Sequence, residues 1–355
     1  MEINQKYRNL LISEDATVID ALKHLNSVHG MSRMIQFVYN KEGRIIGSLT
    51  DGDVRRSLIN DRDVEKRIDL LCNRNFIYRY ADESYINLEQ YREKDIKIIP
   101  LLDKNHYLVE ILDLDKVKSI LPLEVVIMAG GRGERLRPLT DSVPKPMLPL
   151  GGKPIIEHNI DRLIQFGIKK IYISVKYLGQ QIVDYFGDGS SKGIKIEYIW
   201  EDKPLGTSGA LSLVEKFNTK YILLMNSDLF TDINFEDLYL NILQGKTLMT
   251  VATVPYTTKI PLGLFKLDGD NIVGIQEKPT FINYANAGIY LLDASIVKYI
   301  PRNKSYDITD LIQKLIDNKE SIKNVPIIGN WIDIGQHQDY ERAKEIVRHM
   351  QHSDY

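Results

Sequence analysis

A glycine-rich, basic segment lies near the middle of the chain, directly after an apolar run. It contains Ala129, Gly130, Gly131, Arg132, Gly133, Arg135, Arg137 and Lys145. Glycines let the backbone approach a phosphate closely, and successive backbone N–H groups can then cradle the phosphate oxygens. Fixed cations beside such a cradle suit a triphosphate, so the segment predicts a phosphate-binding loop. The alternative is a structural glycine turn followed by a solvated basic loop.

This loop fits neither of two common nucleotide-binding fingerprints. A Walker A loop ends in Gly-Lys-Ser/Thr, and no such triplet follows Gly133. A dinucleotide fingerprint requires a helix to begin at once. The stretch that follows contains four prolines, Pro138, Pro144, Pro146 and Pro149. Because prolines disrupt a helix interior, the sequence predicts a stiff, irregular loop that carries the cations past the glycines.

Two aspartates are candidate metal ligands. Asp228 follows the apolar run 221–225, and in open α/β sheets ligands bind beyond the C-terminal ends of strands. Mg²⁺ typically takes one or two protein carboxylates. Asp333 lies between apolar residues, which is unfavourable for a charge unless it is paired or bound to metal. A turn or helix N-cap remains the alternative interpretation of Asp228.

The motif GGRGERLRPLT, followed by VPKPMLPLGGKPII, resembles the signature of the sugar-1-phosphate nucleotidyltransferases. The resemblance covers residues 124–347. It implies that Arg135 and Lys145 stabilise charge at the attacked α-phosphate and that Asp228 and Asp333 share a Mg²⁺ ion. It also implies that the nucleotide phosphates lie on Ala129, Gly130, Gly131 and Gly133.

Residues 201–209, EDKPLGTSG, resemble the family's base-recognition segment, which implies nucleotide contacts for Glu201, Gly206 and Thr207. Uridylyl- and thymidylyl-type relatives usually have glutamine where this chain has Glu201. A carboxylate only accepts hydrogen bonds, and guanine presents two adjacent N–H donors, whereas uracil and thymine present two acceptors around one donor. We therefore expect GTP to be preferred. The alternative interpretation of Glu201 is an exposed strand end. The alternative function is that of a thymidylyl- or uridylyltransferase.

Four positions resemble the sugar side of the family's site. The triplet Glu277-Lys278-Pro279 matches its EKP segment, which implies that Glu277 accepts hydrogen bonds from sugar hydroxyls and that Lys278 neighbours the sugar phosphate. Gly263 and Asn286 resemble further sugar-side positions. Without the resemblance, the triplet is best interpreted as a solvated turn.

The resemblance implies nucleotidyl transfer from a nucleoside triphosphate to a sugar 1-phosphate of glucosamine or mannose type, with release of pyrophosphate. A non-catalytic nucleotide sensor is the alternative from another class, although such relatives tend to lose the loop arginine, the lysine or the metal aspartates. The domain order resembles bacterial enzymes that make GDP-glucosamine on the route to legionaminic acid. By the transferase motifs, mannose-1-phosphate guanylyltransferases are the nearest alternative.

The elements that must position these residues alternate between strand and helix after residue 124. Candidate strands are residues 125–128, 170–175, 195–200, 221–225 and 248–254. Candidate helices are residues 155–166, 180–186, 209–217 and 235–244. Buried strands separated by helices predict an α/β fold with a mostly parallel sheet covered on both faces. The resemblance implies a Rossmann-like, GT-A-like sheet.

Upstream, the chain contains a tandem repeat with an offset of about 63 residues, the sign of two modules that pack together. Hairpin patterns at residues 37–47 and 100–110 are each preceded by a helix candidate, residues 17–26 and 88–94. Helix candidates also follow them, at residues 53–60 and 113–120. The sequence thus predicts a smaller α+β unit before the transferase.

The stretch GSLTDGDVRR resembles the best-preserved part of a CBS module, and the repeat therefore resembles a CBS-domain pair. This implies that Gly47, Thr50 and Asp53 bind a regulatory adenine or guanine nucleotide. The second module departs from the pattern, with Glu110 and Asp113 where the glycine and threonine would align. The alternative role is a dimer interface, so we expect a homo-oligomer formed through the pair.

Length and composition limit the remaining possibilities. At roughly 150 residues per domain, the 355 residues suggest two domains, which we assign to residues 1–120 and 124–349. The 46 basic and 48 acidic residues give a net charge of −2, which argues against a nucleic-acid partner. Cys72, the single cysteine, excludes an intrachain disulfide. No signal-peptide core or membrane-spanning run is evident, so we expect a cytoplasmic protein without a membrane partner.

Overall fold

A computed structural model describes residues 5–27, 35–83 and 85–353. Residues 1–4, part of the N-terminal stretch inspected for a targeting signal, lie outside the described residues. The chain divides into two compact units, Met1–Ile120 and Leu121–Tyr355. No helix in the described ranges is both long and apolar enough to span a membrane.

The first unit contains the tandem repeat. Its strands are β1 (Leu11–Ser13), β2 (Ile35–Tyr39), β3 (Ile45–Thr50), β4 (Arg79–Tyr80), β5 (Ile98–Leu102) and β6 (Leu108–Asp113), and its helices are α1 (Val18–Ser27), α2 (Asp51–Asp61) and α3 (Glu89–Arg92). Strands β1 to β3 and strands β4 to β6 form two sheets with the same pattern, a parallel pair followed by an antiparallel pair. Each module therefore repeats one supersecondary unit.

The two modules differ after their hairpins. Helix α2 begins at a reciprocal capping box between Thr50 and Asp53, a strong helix start. The helix expected at residues 113–120 was wrong, because residues 114–120 contain no helix. The Arg92 guanidinium donates hydrogen bonds to the carbonyls of Leu114 and Lys118 at 3.3 and 2.9 Å, and the Leu114 carbonyl would otherwise accept a bond within a helix.

The second unit contains the alternating elements. Its strands are β7 (Leu123–Ala129), β8 (Pro149–Leu150), β9 (Lys153–Pro154), β10 (Lys170–Val175), β11 (Lys195–Trp200), β12 (Tyr221–Asn226), β13 (Leu229–Thr231), β14 (Met249–Lys259), β15 (Leu264–Asp268), β16 (Asn271–Gln276), β17 (Thr280–Asp293), β18 (Ile322–Pro326) and β19 (Trp331–Asp333). Its helices are α4 (Ile155–Gln165), α5 (Gly179–Phe186), α6 (Gly206–Gly209), α7 (Phe235–Gly245), α8 (Ile308–Asp317) and α9 (His337–Ser353).

A seven-stranded sheet forms the centre of this unit, in the order β11-β10-β7-β12-β17-β14-β18. Strands β11, β10, β7 and β12 are parallel, and β17 is antiparallel to both of its neighbours. The apolar strand β7 is buried along almost its whole length, as expected for a sheet covered on both faces. The predicted mostly parallel α/β fold is confirmed.

Two parts of this unit differ from expectation. The helix expected at residues 209–217 is replaced by α6 and a 3₁₀ turn, Ala210–Leu213. A Cβ on Gly209 would lie 2.9 Å from the carbonyl oxygen of Lys304, so tertiary packing determines this segment. Strand β14 extends beyond residue 254 and pairs with β17 as far as Lys259 and Thr280.

Candidate active site

The glycine loop borders a cavity of about 610 Å³ beyond the C-terminal end of β7. Its lining comprises Gly130, Gly131, Arg132, Gly133, Glu134, Arg135, Lys145, Lys176, Tyr177, Pro204, Asp228 and Gly335. Four of these side chains are cationic and two are anionic, so the lining has an excess of positive charge. Such an environment at the end of a parallel strand suits a phosphorylated ligand.

Packing holds the loop in place behind the glycines. Gly133 has a φ of 64°, and a Cβ there would lie 2.9 Å from the Cβ of Lys145, so glycine is required. Leu136 and Leu148 are buried in an apolar cluster with residues of α4, β19 and α9. The hydroxyl of Thr140 donates to the Gly133 carbonyl at 2.9 Å. The loop is thus anchored on both sides of its cations.

The loop cations occupy different environments. Lys145 is buried, with 8% of its surface exposed, whereas the three arginines are exposed. The Arg132 guanidinium lies 5.5 Å from the ring centre of Tyr177, and Arg137 pairs with Asp141 at 3.3 Å. Arg137 therefore forms its ion pair at the surface, whereas Lys145 is held inside the site by its burial.

The two candidate metal ligands are brought together by a strand pair: Asp228 lies in the turn directly before β13, and Asp333 ends β19. Leu229, the residue after Asp228, pairs with Asp333 between β13 and β19, and the Ile334 amide donates to the Asp228 carbonyl at 3.0 Å. Burial and the neighbouring Asp228 carboxylate raise the pKa of Asp333, against the opposing effects of Lys145 and Arg135. Two carboxylates brought this close favour a cation between them.

The Asp228 carboxylate is only half satisfied. Its Oδ2 atom accepts a hydrogen bond from the Lys145 ammonium group, while its Oδ1 atom is buried without a hydrogen-bond partner in the described part of the chain. Buried polar atoms are rarely left unpaired. A hard cation with oxygen ligands would satisfy this atom, so the residues present fit Mg²⁺. Across residues 5–27, 35–83 and 85–353 there is no cluster of three His, Cys, Asp or Glu side chains suited to a metal.

The candidate base-recognition residue Glu201 lies against the glycine loop. A Cβ on Gly130 would be 3.1 Å from its Oε1 atom, and both residues line a second cavity of about 310 Å³. Oε1 accepts a hydrogen bond from the Ser174 hydroxyl, and Oε2 accepts one from the Leu205 amide at 3.0 Å. These two donors orient the carboxylate and leave some of its acceptor capacity unused.

Ser174 is a site residue that was not predicted from the sequence. This residue is fully buried near the end of β10, and its hydroxyl has its partner in Glu201. A serine between the apolar residues Ile173 and Val175 was the available signal, because a buried hydroxyl requires a hydrogen-bond partner. Lys176 was also missed, and its ammonium group donates to the carbonyls of Glu201 and Asp202 at 3.1 and 2.7 Å.

The segment around Gly206 and Thr207 is anchored by Asp307. The Thr207 amide and hydroxyl donate to Asp307 Oδ1 at 3.0 and 3.3 Å. Gly206 has a φ of 73°, and a Cβ there would lie 2.6 Å from the same oxygen. Both predicted nucleotide-binding residues line the second cavity, and their backbone is held against the start of α8.

The four sugar-side candidates do not come together. The side chain of Asn286 lies near the strand ends, since its Oδ1 accepts from the Gly288 amide at 3.1 Å and Gly288 packs against Asn226. Gly263 and Glu277 are neighbours, because a Cβ on Gly263 would be 2.8 Å from a Glu277 carboxylate oxygen. Among the described residues, neither of these two nor Lys278 lines either cavity.

The candidate regulatory residues of the first unit have mixed environments. Thr50 lines a cavity of about 360 Å³ together with Ile35, Asp51, Gly52, Ile96, Lys97 and Ile98. The Asp53 carboxylate accepts hydrogen bonds from the Thr50 amide and hydroxyl at 2.8 and 2.6 Å. Gly47 has a packing role, because a Cβ there would lie 2.8 Å from the Cys72 sulfur. Thr50 is therefore the best placed of the three to meet a ligand.

Comparison with known proteins relates the two units to two families. A family model described as nucleotidyl transferase matches residues 124–349, and a CBS domain model matches residues 7–60.

Curated relatives match the second unit. The bifunctional protein GlmU of Methanococcus maripaludis is 36% identical over 61% of this chain and 52% of its own length. The UTP–glucose-1-phosphate uridylyltransferase of a Synechocystis species is 30% identical over 62% of each chain. The mannose-1-phosphate guanyltransferase of Debaryomyces hansenii is 32% identical over 61% of this chain and 62% of its own. The chain thus spans about half to three fifths of the length of these relatives.

A solved structure supports the fold. The crystal structure of a putative glucose-1-phosphate thymidylyltransferase from Bacillus anthracis, in complex with a sucrose, superposes with a TM-score of 0.52 at 26% identity. The match covers 64% of this chain and 95% of that one.

Proposed function

The chain belongs to the nucleotidyl transferase family, and on that premise we propose that it transfers a nucleoside monophosphate from a nucleoside triphosphate to a sugar 1-phosphate. The observation that carries the proposal is the convergence of the glycine loop, Lys145 and Asp228 on one cavity. Two of the relatives are named as transferases of glucose 1-phosphate and mannose 1-phosphate, which supports a sugar phosphate as the acceptor.

In this reaction a phosphate oxygen of the sugar 1-phosphate forms a bond to the α-phosphorus of the triphosphate. The bond from that phosphorus to the oxygen that bridges the α- and β-phosphates breaks, and pyrophosphate leaves with the electron pair on that oxygen. The nucleophile is already anionic, so the chain does not need to supply a general base. Catalysis consists of positioning and of stabilising the charge that develops.

We assign those roles to residues of the cavity. Backbone N–H groups of residues 130–133 would hold the phosphates, and the buried Lys145 and the exposed Arg135 would stabilise charge at the α-phosphate. The Arg135 guanidinium lies beside Gly335, which brings it close to Asp333. Lys145 contacts Asp228, and Arg135 acts on Asp333, so both cations lie close to the candidate metal ligands.

Asp228 and Asp333 would hold Mg²⁺. Bound there, the ion would supply Lewis-acid stabilisation of phosphate oxygens. The unpartnered Oδ1 atom of Asp228 and the raised pKa of Asp333 support a cation at this position.

We further propose that GTP is the preferred donor. The orientation of the Glu201 carboxylate by Ser174 and Leu205 supports a role as a pure acceptor for two adjacent N–H groups. The relatives include uridylyl, guanylyl and thymidylyl enzymes by name, so the base preference depends on this residue.

A matrix of GTP, UTP, dTTP and ATP against glucosamine, mannose and glucose 1-phosphates, scored by pyrophosphate release, tests the function. The highest rate is expected with GTP and a sugar 1-phosphate of glucosamine or mannose type. Absence of pyrophosphate with every pair would contradict catalysis and favour a nucleotide sensor.

A second function, regulation by a nucleotide, is supported by the cavity beside Thr50. Lys97, which lines it, pairs with Asp115 at 2.9 Å and could exchange that carboxylate for a phosphate. Adenine and guanine nucleotides should raise the melting temperature, and Lys97→Ala should reduce this rise. Lys104→Ala is a matched control, because Lys104 pairs with Asp82 at the same 2.9 Å away from the cavity. An equal rise in melting temperature in both variants would contradict nucleotide binding at Lys97 and would leave the first unit with a role as a dimer interface only.

A further inference from the structure

Helix α4 has one polar residue, Asn159, within its buried apolar face. The buried positions of the helix follow helical spacing: Ile155, Ile156, Asn159, Ile160 and Leu163. Only 2% of the surface of Asn159 is exposed. Because a buried amide is costly without hydrogen-bond partners, the position of its partners indicates what this residue does.

The partners of Asn159 flank the candidate metal ligand Asp228. Its Nδ2 group donates to the Leu229 carbonyl at 2.9 Å and to the Ser227 carbonyl at 3.4 Å. These two residues immediately follow and precede Asp228 in the chain. An amide nitrogen carries two N–H donors, so this one side chain holds the backbone on both sides of the ligand.

Two other segments hold the same stretch of backbone. The Ser227 amide donates to the carbonyl of Met128 in β7 at 3.2 Å, and the amide of Ile334, the residue after β19, donates to the Asp228 carbonyl at 3.0 Å. The backbone around Asp228 is therefore fixed from the strand that precedes the glycine loop, from α4 and from the segment after Asp333. Its Oδ1 atom, in contrast, is buried without a partner among the described residues.

The chemistry of Asn159 suits a residue behind a cation site. Mg²⁺ demands near-ideal octahedral geometry, and groups that orient its ligands therefore affect how tightly it binds. A neutral amide donates to the backbone carbonyls without adding a positive charge. A lysine or an arginine at the same place could hold the carbonyls, but it would repel the ion.

Arg162 offers a comparison on the same helix. Its guanidinium donates to the carbonyls of Asp232 and Ile233, the latter at 2.9 Å. Both Asn159 and Arg162 thus support the segment after β12 through backbone carbonyls. Asn159 holds the carbonyls next to Asp228, whereas the cationic Arg162 holds carbonyls farther along the chain.

We propose that Asn159 is a positioning residue, which fixes the backbone around Asp228 so that the carboxylate is held in place for Mg²⁺. The proposal rests on the Mg²⁺ site of the proposed function and adds a residue that contacts neither the ion nor the substrate. Loss of its two donors should weaken Mg²⁺ binding as well as lower stability. A purely structural role would lower stability alone.

A titration with Mg²⁺ alone, followed by melting temperature, tests the proposal. Asn159→Leu approximately preserves side-chain size and removes both donors. The Mg²⁺ concentration that gives half of the full rise in melting temperature should increase by about tenfold or more, the loss typical when a group that orients a metal ligand is removed. Arg162→Met is the matched control. It also deprives two carbonyls of their donor and should be destabilised, while its half-saturating Mg²⁺ concentration should remain that of the wild type.

Pyrophosphate release as a function of Mg²⁺ concentration provides a second readout. Asn159→Leu should be slow at low Mg²⁺ and should recover most of the wild-type rate at saturating Mg²⁺, because a high concentration compensates for weaker binding. A rate reduced by the same factor at every Mg²⁺ concentration would contradict the proposal. If Asn159→Leu does not fold, Asn159→Ser takes its place. Its shorter side chain retains one O–H donor, and the same shift toward higher Mg²⁺ is expected.

Equal half-saturating Mg²⁺ concentrations in the wild type and the Asn159 variant would overturn the positioning role. A wild type whose melting temperature does not respond to Mg²⁺ would overturn this role together with the metal site. If the wild type responds to Mg²⁺ but releases no pyrophosphate, the proposed function fails, while the melting curves still decide the role of Asn159.

Discussion

The ammonium group of Lys145 is paired with the carboxylate of Asp228, although the two residues come from separate motifs. Their side chains are only 10% and 22% exposed, so the pair is largely removed from water. The other Asp228 oxygen is buried and has no partner among the described residues. The pair therefore joins the loop cation to the candidate metal site, and a phosphate with its cation could replace this contact.

Lys145→Ala and Asp228→Ala should each lower turnover by about a hundredfold to a thousandfold, the loss typical of a missing group that stabilises transition-state charge. Pyrophosphate release measures the loss, and a melting curve verifies that each variant is folded. Lys344→Ala, which breaks the exposed pair with Glu341, should remain fully active. Near-normal turnover in either site variant would refute the assigned role.

Mg²⁺ should raise the melting temperature of the wild type, because an ion that binds only the folded state stabilises it. Asp333→Asn should reduce this rise, since the amide carries no charge to balance the ion. Asp339→Asn is the control, because Asp339 lies near Asp333 and its Oδ2 accepts from the Gln336 amide. Equal Mg²⁺ effects on the wild type and Asp333→Asn would exclude Asp333 as a ligand.

Glu201→Gln should lower the preference for GTP over dTTP by about tenfold to a hundredfold, because a hydrogen bond to a charged group is worth about 1.5–3 kcal/mol. The measurement is the ratio of kcat/KM for the two triphosphates. Ser174→Ala should produce a smaller change in the same direction, since it removes only the hydroxyl that orients the carboxylate. An unchanged ratio in Glu201→Gln would show that the base is selected elsewhere.

Gly206→Ala should destabilise the protein more than Gly193→Ala does. Both glycines have a positive φ, 73° and 71°, and each alanine therefore incurs a cost of about 1–2 kcal/mol. Only at Gly206 would the new Cβ also meet Asp307 and Tyr306, at 2.6 and 2.9 Å. Urea unfolding compares the two variants, and equal losses would mean that the anchor at Asp307 is dispensable.

Much of the fold could be predicted from the sequence. Apolar runs of strand length alternating with amphipathic helices indicate a parallel sheet, and strands such as Lys170–Val175 and Lys195–Trp200 have the bounds expected. The positions of the glycine loop and of Asp228 followed from the same pattern, because polar residues directly after a buried strand lie at its C-terminal end. The spacing of apolar residues and the residues that end a strand depend only on short stretches of the chain, so both can be recognised in a single sequence.

The tertiary structure alone decided how distant segments meet. The sequence did not reveal that Lys145 pairs with Asp228, that Ser174 lies behind Glu201, or that Asp307 anchors Thr207. It also did not reveal that Glu277 is exposed beside Gly263 and lines neither of the two cavities described above. Such contacts depend on strand order and on packing between segments far apart in the chain, and the local pattern that identifies each segment contains no information about its neighbour.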